Sequence, residues 1–153
     1  MPSQLNVDSI RPNTSGGAVT FPDRPYATVM FTNNTNYVLK SAGSVIDFDT
    51  ILEQEGNDYS TSTYKYTAPV EGLYMVSVGV LTQNDTDKPQ VEFWKNSTQM
   101  FLAYSVYRTM QASTVIHASA GDELYLKAGT AANYYEGSLG NGRYCYATYM
   151  FMG

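Results

Sequence analysis

The residues of this chain that could carry acid–base or nucleophilic chemistry are few. His117 is the only histidine and Cys145 the only cysteine among the 153 residues. His117 stands inside an apolar run, whereas a general base needs an orienting partner and an accessible substrate. Cys145 lies between two tyrosines and is predicted to be a buried small hydrophobe rather than a nucleophile. Since no serine elbow, phosphate loop or paired-histidine motif is present, we expect a protein that is not an enzyme.

One short segment has the side chains of a metal site. Asn84-Asp85-Thr86-Asp87 brings carboxylates and amides together, and oxygen ligands of this kind suit hard cations such as calcium. The spacing does not complete an EF-hand, and a solvated acidic turn explains the segment equally well. Asp85 and Asp87 are therefore candidate calcium ligands, and no other cofactor is predicted.

Tyrosines in connecting segments are candidates for ligand contact. They occur in the segments 101–107 and 133–138, and exposed aromatic rings beside amides form many carbohydrate and protein sites. The candidate contact residues are Asn84, Tyr134, Tyr135 and Glu136. The alternative is structural, because the chain has 14 tyrosines and an oligomer would bury some of them.

Charge and hydropathy exclude two classes of partner. The net charge is −5 and lysine and arginine are not clustered, so nucleic-acid binding is not expected. No run approaches the roughly 18 apolar residues of a membrane-spanning helix, and the amino terminus lacks a basic-then-apolar leader. We therefore expect neither membrane insertion nor export through the general secretory route.

The elements that must position these residues are predicted to be strands. Short apolar or alternating runs recur along the chain, none with a helical period, which favours one β-sandwich domain. The run Leu73–Leu81 is apolar on both faces and predicts a central strand covered on two sides. The last run, Arg143–Phe151, also lacks a polar face. We expect one of its faces to form a subunit interface, with Tyr149 and Phe151 in it.

The spacing of aromatic residues from Phe48 to Val78 resembles the C1q domain of the C1q/tumour-necrosis-factor superfamily. The matching positions are Phe48, Tyr59, Tyr66 and Gly72-Leu73-Tyr74, within a segment Ala68–Tyr74 that is similar to the family pattern. Ser119–Leu126 is similar to the Gly-Asp strand start of the superfamily. Tyr66 departs from the usual phenylalanine but keeps its size. The resemblance, which extends from about Tyr26 to the end, implies an all-β jelly-roll sandwich of about ten strands that forms a homotrimer.

The first residues suggest where such a trimer works. Leu5–Ile10 and Gly17–Phe21 are similar to short β-segments that recur in phage tail and head fibres. We therefore expect residues 1–25 to be an attachment segment that binds other virion proteins and residues 26–153 to be the jelly-roll domain. The predicted function is that of a virion structural protein, a fibre knob or surface decoration, with a host-surface glycan or protein as its candidate ligand. The alternative is a secreted, extracellular C1q-like lectin or adhesion module, and a weaker third is a fragment of a carbohydrate-active enzyme.

Overall fold

The computed structural model describes residues 24–31, 37–135 and 144–153, and these residues form strands and turns without a helix. The predicted attachment segment, residues 1–25, lies almost wholly outside this part of the chain, so its boundary stays a prediction. The described residues contain twelve strands: β1 Tyr26–Met30, β2 Tyr37–Lys40, β3 Thr50–Glu55, β4 Tyr59–Ser60, β5 Lys65–Thr67, β6 Gly72–Leu81, β7 Gln90–Lys95, β8 Thr98–Tyr104, β9 Thr109–Ala118, β10 Glu123–Ala128, β11 Ala132–Tyr135 and β12 Tyr146–Phe151.

Ten of these strands form two antiparallel five-stranded sheets. The first sheet has the order β3-β1-β12-β6-β9 and the second has the order β4-β5-β10-β7-β8, while β11 and β2 make a separate two-stranded ribbon. Consecutive strands such as β5 and β6 lie in different sheets, which is the connectivity of a jelly roll. The predicted all-β jelly-roll sandwich is therefore confirmed.

The first sheet is built around β6, which is central as predicted. It pairs with β12 on one side and with β9 along its full length on the other. Tyr74, Val76 and Val78 point into the core and are buried, because alternate residues of a strand face opposite sides. On the outer face Leu73 is exposed and Met75 partly so, so a single chain covers only one side of this strand.

Aromatic side chains join the two sheets across the core. Phe31 stacks on Phe48 with ring centroids 4.7 Å apart. Tyr59 donates a hydrogen bond of 3.0 Å to the Phe48 carbonyl, which satisfies its hydroxyl away from water. The aromatic spacing that resembled the C1q domain is therefore a spacing of core residues.

Gly72 is required where β6 begins beside the end of the chain. A Cβ atom there would lie 2.5 Å from Cε2 of Phe151 and 2.8 Å from the Gly153 carbonyl oxygen. That same carbonyl accepts the Leu73 N–H at 2.8 Å. Only glycine allows this close approach, which explains the glycine of the Gly-x-Tyr motif.

The two ends of the sandwich are formed by different parts of the chain. Pro25, Gly72 and Gly153 lie together at one end, joined by the Pro25 carbonyl to the Phe151 N–H at 3.0 Å. At the other end, the connections 82–89 and 105–108 follow β6 and β8. The ten residues of β6 span about 33 Å between these ends.

Candidate functional site

The connection 82–89 is held firmly at its base by Thr82. This residue is fully buried, and its hydroxyl oxygen lies 2.5 Å from the Asp87 carbonyl and 3.1 Å from the Arg108 carbonyl, which share its single proton as acceptors. The Thr82 N–H also donates to the Arg108 carbonyl at 2.7 Å. The connections 82–89 and 105–108 therefore form one structural unit at the end of the sandwich.

The polar residues predicted to hold calcium are partly brought together here. The Asp87 carboxylate accepts long hydrogen bonds of 3.4 Å from the side-chain amides of Asn84 and Asn133. Asp85 is exposed beside them. Within the described residues no group of three or more His, Cys, Asp or Glu side chains is placed to share a metal ion. A calcium site at Asp85 and Asp87 stays a prediction.

Two of the predicted ligand contacts are wrong because their rings are buried. Tyr134 is 0% exposed and its hydroxyl donates to the Gln90 carbonyl at 3.3 Å. Tyr135 is 3% exposed and packs edge-on against Tyr37 and Tyr144. Both belong to β11, whose pairing with β2 places them in the core rather than in an open connection. Asn84 is exposed as expected, and Glu136 lies outside the described residues.

The exposed tyrosines of this end lie instead at the end of β8 and in the connection that follows. Tyr104 is 70% exposed and Tyr107 is 73% exposed, with Val106 exposed between them. They are not loosely held, because the Ser105 N–H donates to the Pro89 carbonyl at 3.1 Å. The segment 101–107 was among the predicted tyrosine-rich candidates. We use the name loop surface for Asn84, Asp85, Val106 and Tyr107.

The outer face of the first sheet carries a cross-strand row of apolar residues. Tyr26, Met150, Met75 and Val115 are successive register partners on β1, β12, β6 and β9. Leu73 lies beside the row, two residues from Met75 on β6, and Leu73, Val115 and Met150 are exposed. We call these five residues the sheet patch. The adjacent row is polar, with Thr28 and Thr148 in hydroxyl contact at 3.3 Å.

The burial of Tyr149 contradicts one of the two predicted interface residues. Tyr149 is 1% exposed and faces the core, so its ring cannot contact a neighbouring subunit, and that prediction is wrong. Met150, the next residue, points outward. Phe151 is partly buried against Tyr74, with ring centroids 5.3 Å apart, and its role in an interface stays a prediction. A shift of one residue along a strand exchanges its two faces.

A second apolar surface lies on the free edge of the second sheet. Met100, Phe101 and Leu102 of β8 are each more than 40% exposed, and β8 is the last strand of the second sheet, paired only with β7 among the described strands. We call these three residues the edge patch. A long apolar edge strand is normally covered, because it otherwise promotes aggregation.

The two nucleophile or base candidates lie in different surroundings, since Cys145 is in the core and His117 borders the sheet patch as the register partner of Leu73. Cys145 is buried, as predicted, with its Sγ 3.2 Å from the Leu81 nitrogen that donates to it. His117 lies in strand β9 as expected but faces outward, with Nε2 3.8 Å from a carboxylate oxygen of Glu71. The described residues also contain no helix that is long and apolar enough to cross a membrane.

The Gly-Asp turn before β10 is a compact hydrogen-bonded cap. The Asp122 carboxylate accepts the Ser119 N–H at 2.9 Å and the Asn96 side-chain amide at 2.8 Å. These hydrogen bonds hold the pKa of Asp122 below its usual value of 3.8, because they stabilise its charged form. The motif is therefore a structural element at the end of the sandwich opposite the loop surface.

Solved structures similar to this chain support the same architecture. Eiger TNF from S. frugiperda covers 86% of this chain and 94% of its own at a TM-score of 0.65 and 12% identity. The globular domain of zebrafish complement 1qA covers 86% and 98% at a TM-score of 0.59 and 14% identity. PRD1 vertex protein P5 covers 85% and 98% at a TM-score of 0.58 and 16% identity. At these identities the similarity concerns the fold.

Sequence comparison identifies relatives and a family. Complement C1q tumor necrosis factor-related protein 3 is 27% identical over 94 residues in both Homo sapiens and Mus musculus. The match covers 58% of this chain and only 38% of the length of each relative. The family model described as the C1q domain matches residues 28–149. Since that match covers well over half of the sequence, this chain belongs to the C1q domain family.

Proposed function

We propose that this chain forms a homotrimeric knob on a virion, attached through residues 1–25 and directing its loop surface towards a host-surface glycan or protein. The observation that carries the assembly is the presence of two different exposed apolar surfaces, the sheet patch and the edge patch. Two unlike surfaces that fit each other make a head-to-tail contact, and such contacts close into a ring when the rotation allows. The resemblance to C1q domains implies a ring of three.

The chemistry of the two surfaces suits such a contact. The sheet patch is flat and rich in methionine, whose flexible thioether adapts to an irregular partner. The edge patch adds Phe101, which already contacts Phe93 edge-on with centroids 5.6 Å apart. Burying both surfaces removes apolar area from water at about 25 cal/mol per Å². It also covers the edge of the second sheet.

The positions of the two ends support the proposed orientation. Arg24 and Pro25, where the described chain begins, lie beside Gly153 and away from the connection 82–89. A knob attached through the preceding residues would hold the loop surface about one β6 length, roughly 33 Å, from its attachment point. Exposed aromatic and amide side chains there suit contact with a glycan or protein.

The fold similarity to a protein named as a vertex protein supports the virion location. The alternative, a secreted extracellular lectin or adhesion module, is favoured by the two C1q tumor necrosis factor-related relatives. Both alternatives share a trimeric, non-catalytic module, so they differ in location rather than in assembly.

Detection on particles separates the two alternatives. Mass spectrometry of purified particles and gold-labelled antibodies on intact ones should find the protein at the particle surface, outside the shell. Recovery of the protein from cell-free medium, with none on purified particles, would establish the secreted alternative instead. Detergent-washed particles provide the control for adhering contaminants.

A further inference from the structure

The outer face of the second sheet carries two neighbouring aromatic rings, and it borders the edge patch at Leu102, the register partner of Glu92. Trp94 of β7 and Tyr125 of β10 are register partners. Their ring centroids are 6.3 Å apart and their planes differ by only 18°. The Trp94 side chain is partly exposed whereas Tyr125 is only 6% exposed, so Trp94 offers the accessible surface of this pair, which we call the aromatic strip.

A lysine of this face lies on the strip instead of pairing with a carboxylate. The ammonium of Lys127 is 3.9 Å from the centre of the Trp94 ring. By contrast Lys65 and Lys95 lie 2.6 Å and 3.8 Å from the carboxylates of Glu123 and Asp122. Among the described residues no carboxylate oxygen is within 4.0 Å of Lys127. Its charge is thus stabilised by a ring and is available to an anion.

Polar and aromatic side chains continue the face beyond Lys127. Glu92 is the register partner of Lys127 and accepts the Trp94 indole N–H at 2.8 Å. Gln90, two residues on, pairs with Tyr104, whose ring is 70% exposed. Trp94 and Gln90 are four residues apart on β7, or about 13 Å. Trp94 and Tyr104 are therefore too far apart to contact the same sugar ring.

We propose that this face binds an anionic oligosaccharide. The carboxylate or sulfate of one sugar binds the Lys127 ammonium at the aromatic strip, and the apolar face of a further sugar ring packs on Tyr104. Glu92 and Gln90 lie between these points and hydrogen-bond the sugar hydroxyls. Aromatic rings for the apolar sugar face, with a few polar groups that fix orientation, are the usual composition of such sites. This inference rests on the proposed function, since it names the class of host ligand.

The choice of an anionic over a neutral sugar depends on Lys127. A neutral sugar would use the ring surface of Trp94, and the Lys127 ammonium already covers that surface. An anionic group instead uses the ammonium where it lies, without displacing it. Charge-assisted hydrogen bonds to such a group are about twice as strong as neutral ones.

The test uses the full chain and its single tryptophan, Trp94, as the reporter. Tryptophan emission is followed while an oligogalacturonate, its neutral methyl ester and a sulfated galactan oligosaccharide are added. We expect a saturable change with at least one anionic sugar, and at least tenfold weaker binding of the ester. The two anionic probes distinguish a carboxylate from a sulfate ligand. Equal binding of the ester, or no change with any probe, overturns the inference.

Matched variants locate the site. Lys127→Met keeps the aliphatic stem but removes the charge, and should reduce affinity for the anionic sugar at least tenfold. Arg24→Met removes one positive charge from an exposed residue beside β1 of the first sheet and should leave affinity unchanged. Tyr104→Ala, at an exposed position that the fold tolerates, should weaken binding several-fold by calorimetry. If Lys127→Met binds the anionic sugar with unchanged affinity, the inference is wrong, even if the protein is found on virions. If the protein binds the sugar but is secreted, only the virion location is contradicted.

Discussion

The rings of Tyr66 and Tyr149 lie parallel across the core, with centroids 5.2 Å apart and planes 3° apart. Tyr66 belongs to β5 of the second sheet and Tyr149 to β12 of the first, so this stack joins the two sheets. Burial raises the pKa of the Tyr149 hydroxyl far above its usual value, because a phenolate would lose its hydration there. The ring therefore acts as a neutral packing element.

Tyr149→Ala should destabilise the fold strongly, whereas Met150→Ala should not. Removing a fully buried aromatic ring leaves a cavity and costs about 3–5 kcal/mol. Met150 faces outward and is 38% exposed, so its truncation should change the free energy of unfolding by less than about 1 kcal/mol in the dissociated subunit. Urea unfolding at equal, low protein concentration measures both. Equal losses for the two variants would contradict the assignment of faces.

Met150→Glu should dissociate the trimer without unfolding its subunits. The substitution places a carboxylate in the middle of the sheet patch, where it would be buried unpaired in the assembly at a cost of several kcal/mol. We expect the trimer dissociation constant to rise by about two orders of magnitude or more, measured by analytical ultracentrifugation. Thr61→Glu, at an exposed turn outside both patches, is the charge-matched control. If the wild-type protein is a stable, non-aggregating monomer, the proposed trimer is wrong.

Asp122 should contribute to stability only while its carboxylate is ionised. Its pKa is lowered in the folded state, chiefly by the hydrogen bonds from Asn96 and Ser119. This contribution is fully present above the ordinary value of 3.8 and is lost as the pH falls through the lower folded value. Asp122→Asn should therefore lower the thermal midpoint at neutral pH, and the difference from wild type should shrink in acid. Asp85→Asn, at an exposed position, is the control; a pH-independent deficit in Asp122→Asn would contradict the assignment.

Deleting residues 1–25 should leave the jelly roll folded and trimeric but abolish attachment to the particle. The first strand of the described residues is β1 Tyr26–Met30, and the core cluster and both apolar patches lie within residues 26–153. Circular dichroism and ultracentrifugation report on the fold, and co-sedimentation with particles that lack the wild-type protein reports on attachment. Unfolding of the truncated chain would mean that the domain boundary is misplaced.

Much of the fold could be predicted from the sequence because its signals are local or have a fixed spacing. Alternation along Leu73–Leu81 reflects the two-residue period of a strand, and the structure confirms β6 as central. The aromatic residues that match the C1q pattern are all buried in the core, which explains why their spacing predicts the fold: Phe48, Tyr59, Tyr66 and Tyr74. The burial of Cys145 could also be predicted locally, because a small thiol between two tyrosines suits a buried site.

The surfaces could not be predicted in the same way, because burial depends on what packs against each face. In Arg143–Phe151 both sets of alternate residues are apolar, so alternation alone does not say whether Tyr149 or Met150 faces out. The tyrosines 134 and 135 looked like connection residues until their pairing with β2 buried them.

The sequence by itself determined the jelly-roll fold, its core aromatic residues and the small number of side chains suited to catalysis, since these depend on composition, period and spacing. Tertiary structure alone decided which residues share a surface. Trp94, Lys127 and Tyr104 come from three different strands, and only the register of β8, β7 and β10 places them on the same face of the sheet. Register is set by the packing of the whole sheet, and no local pattern in the chain encodes it.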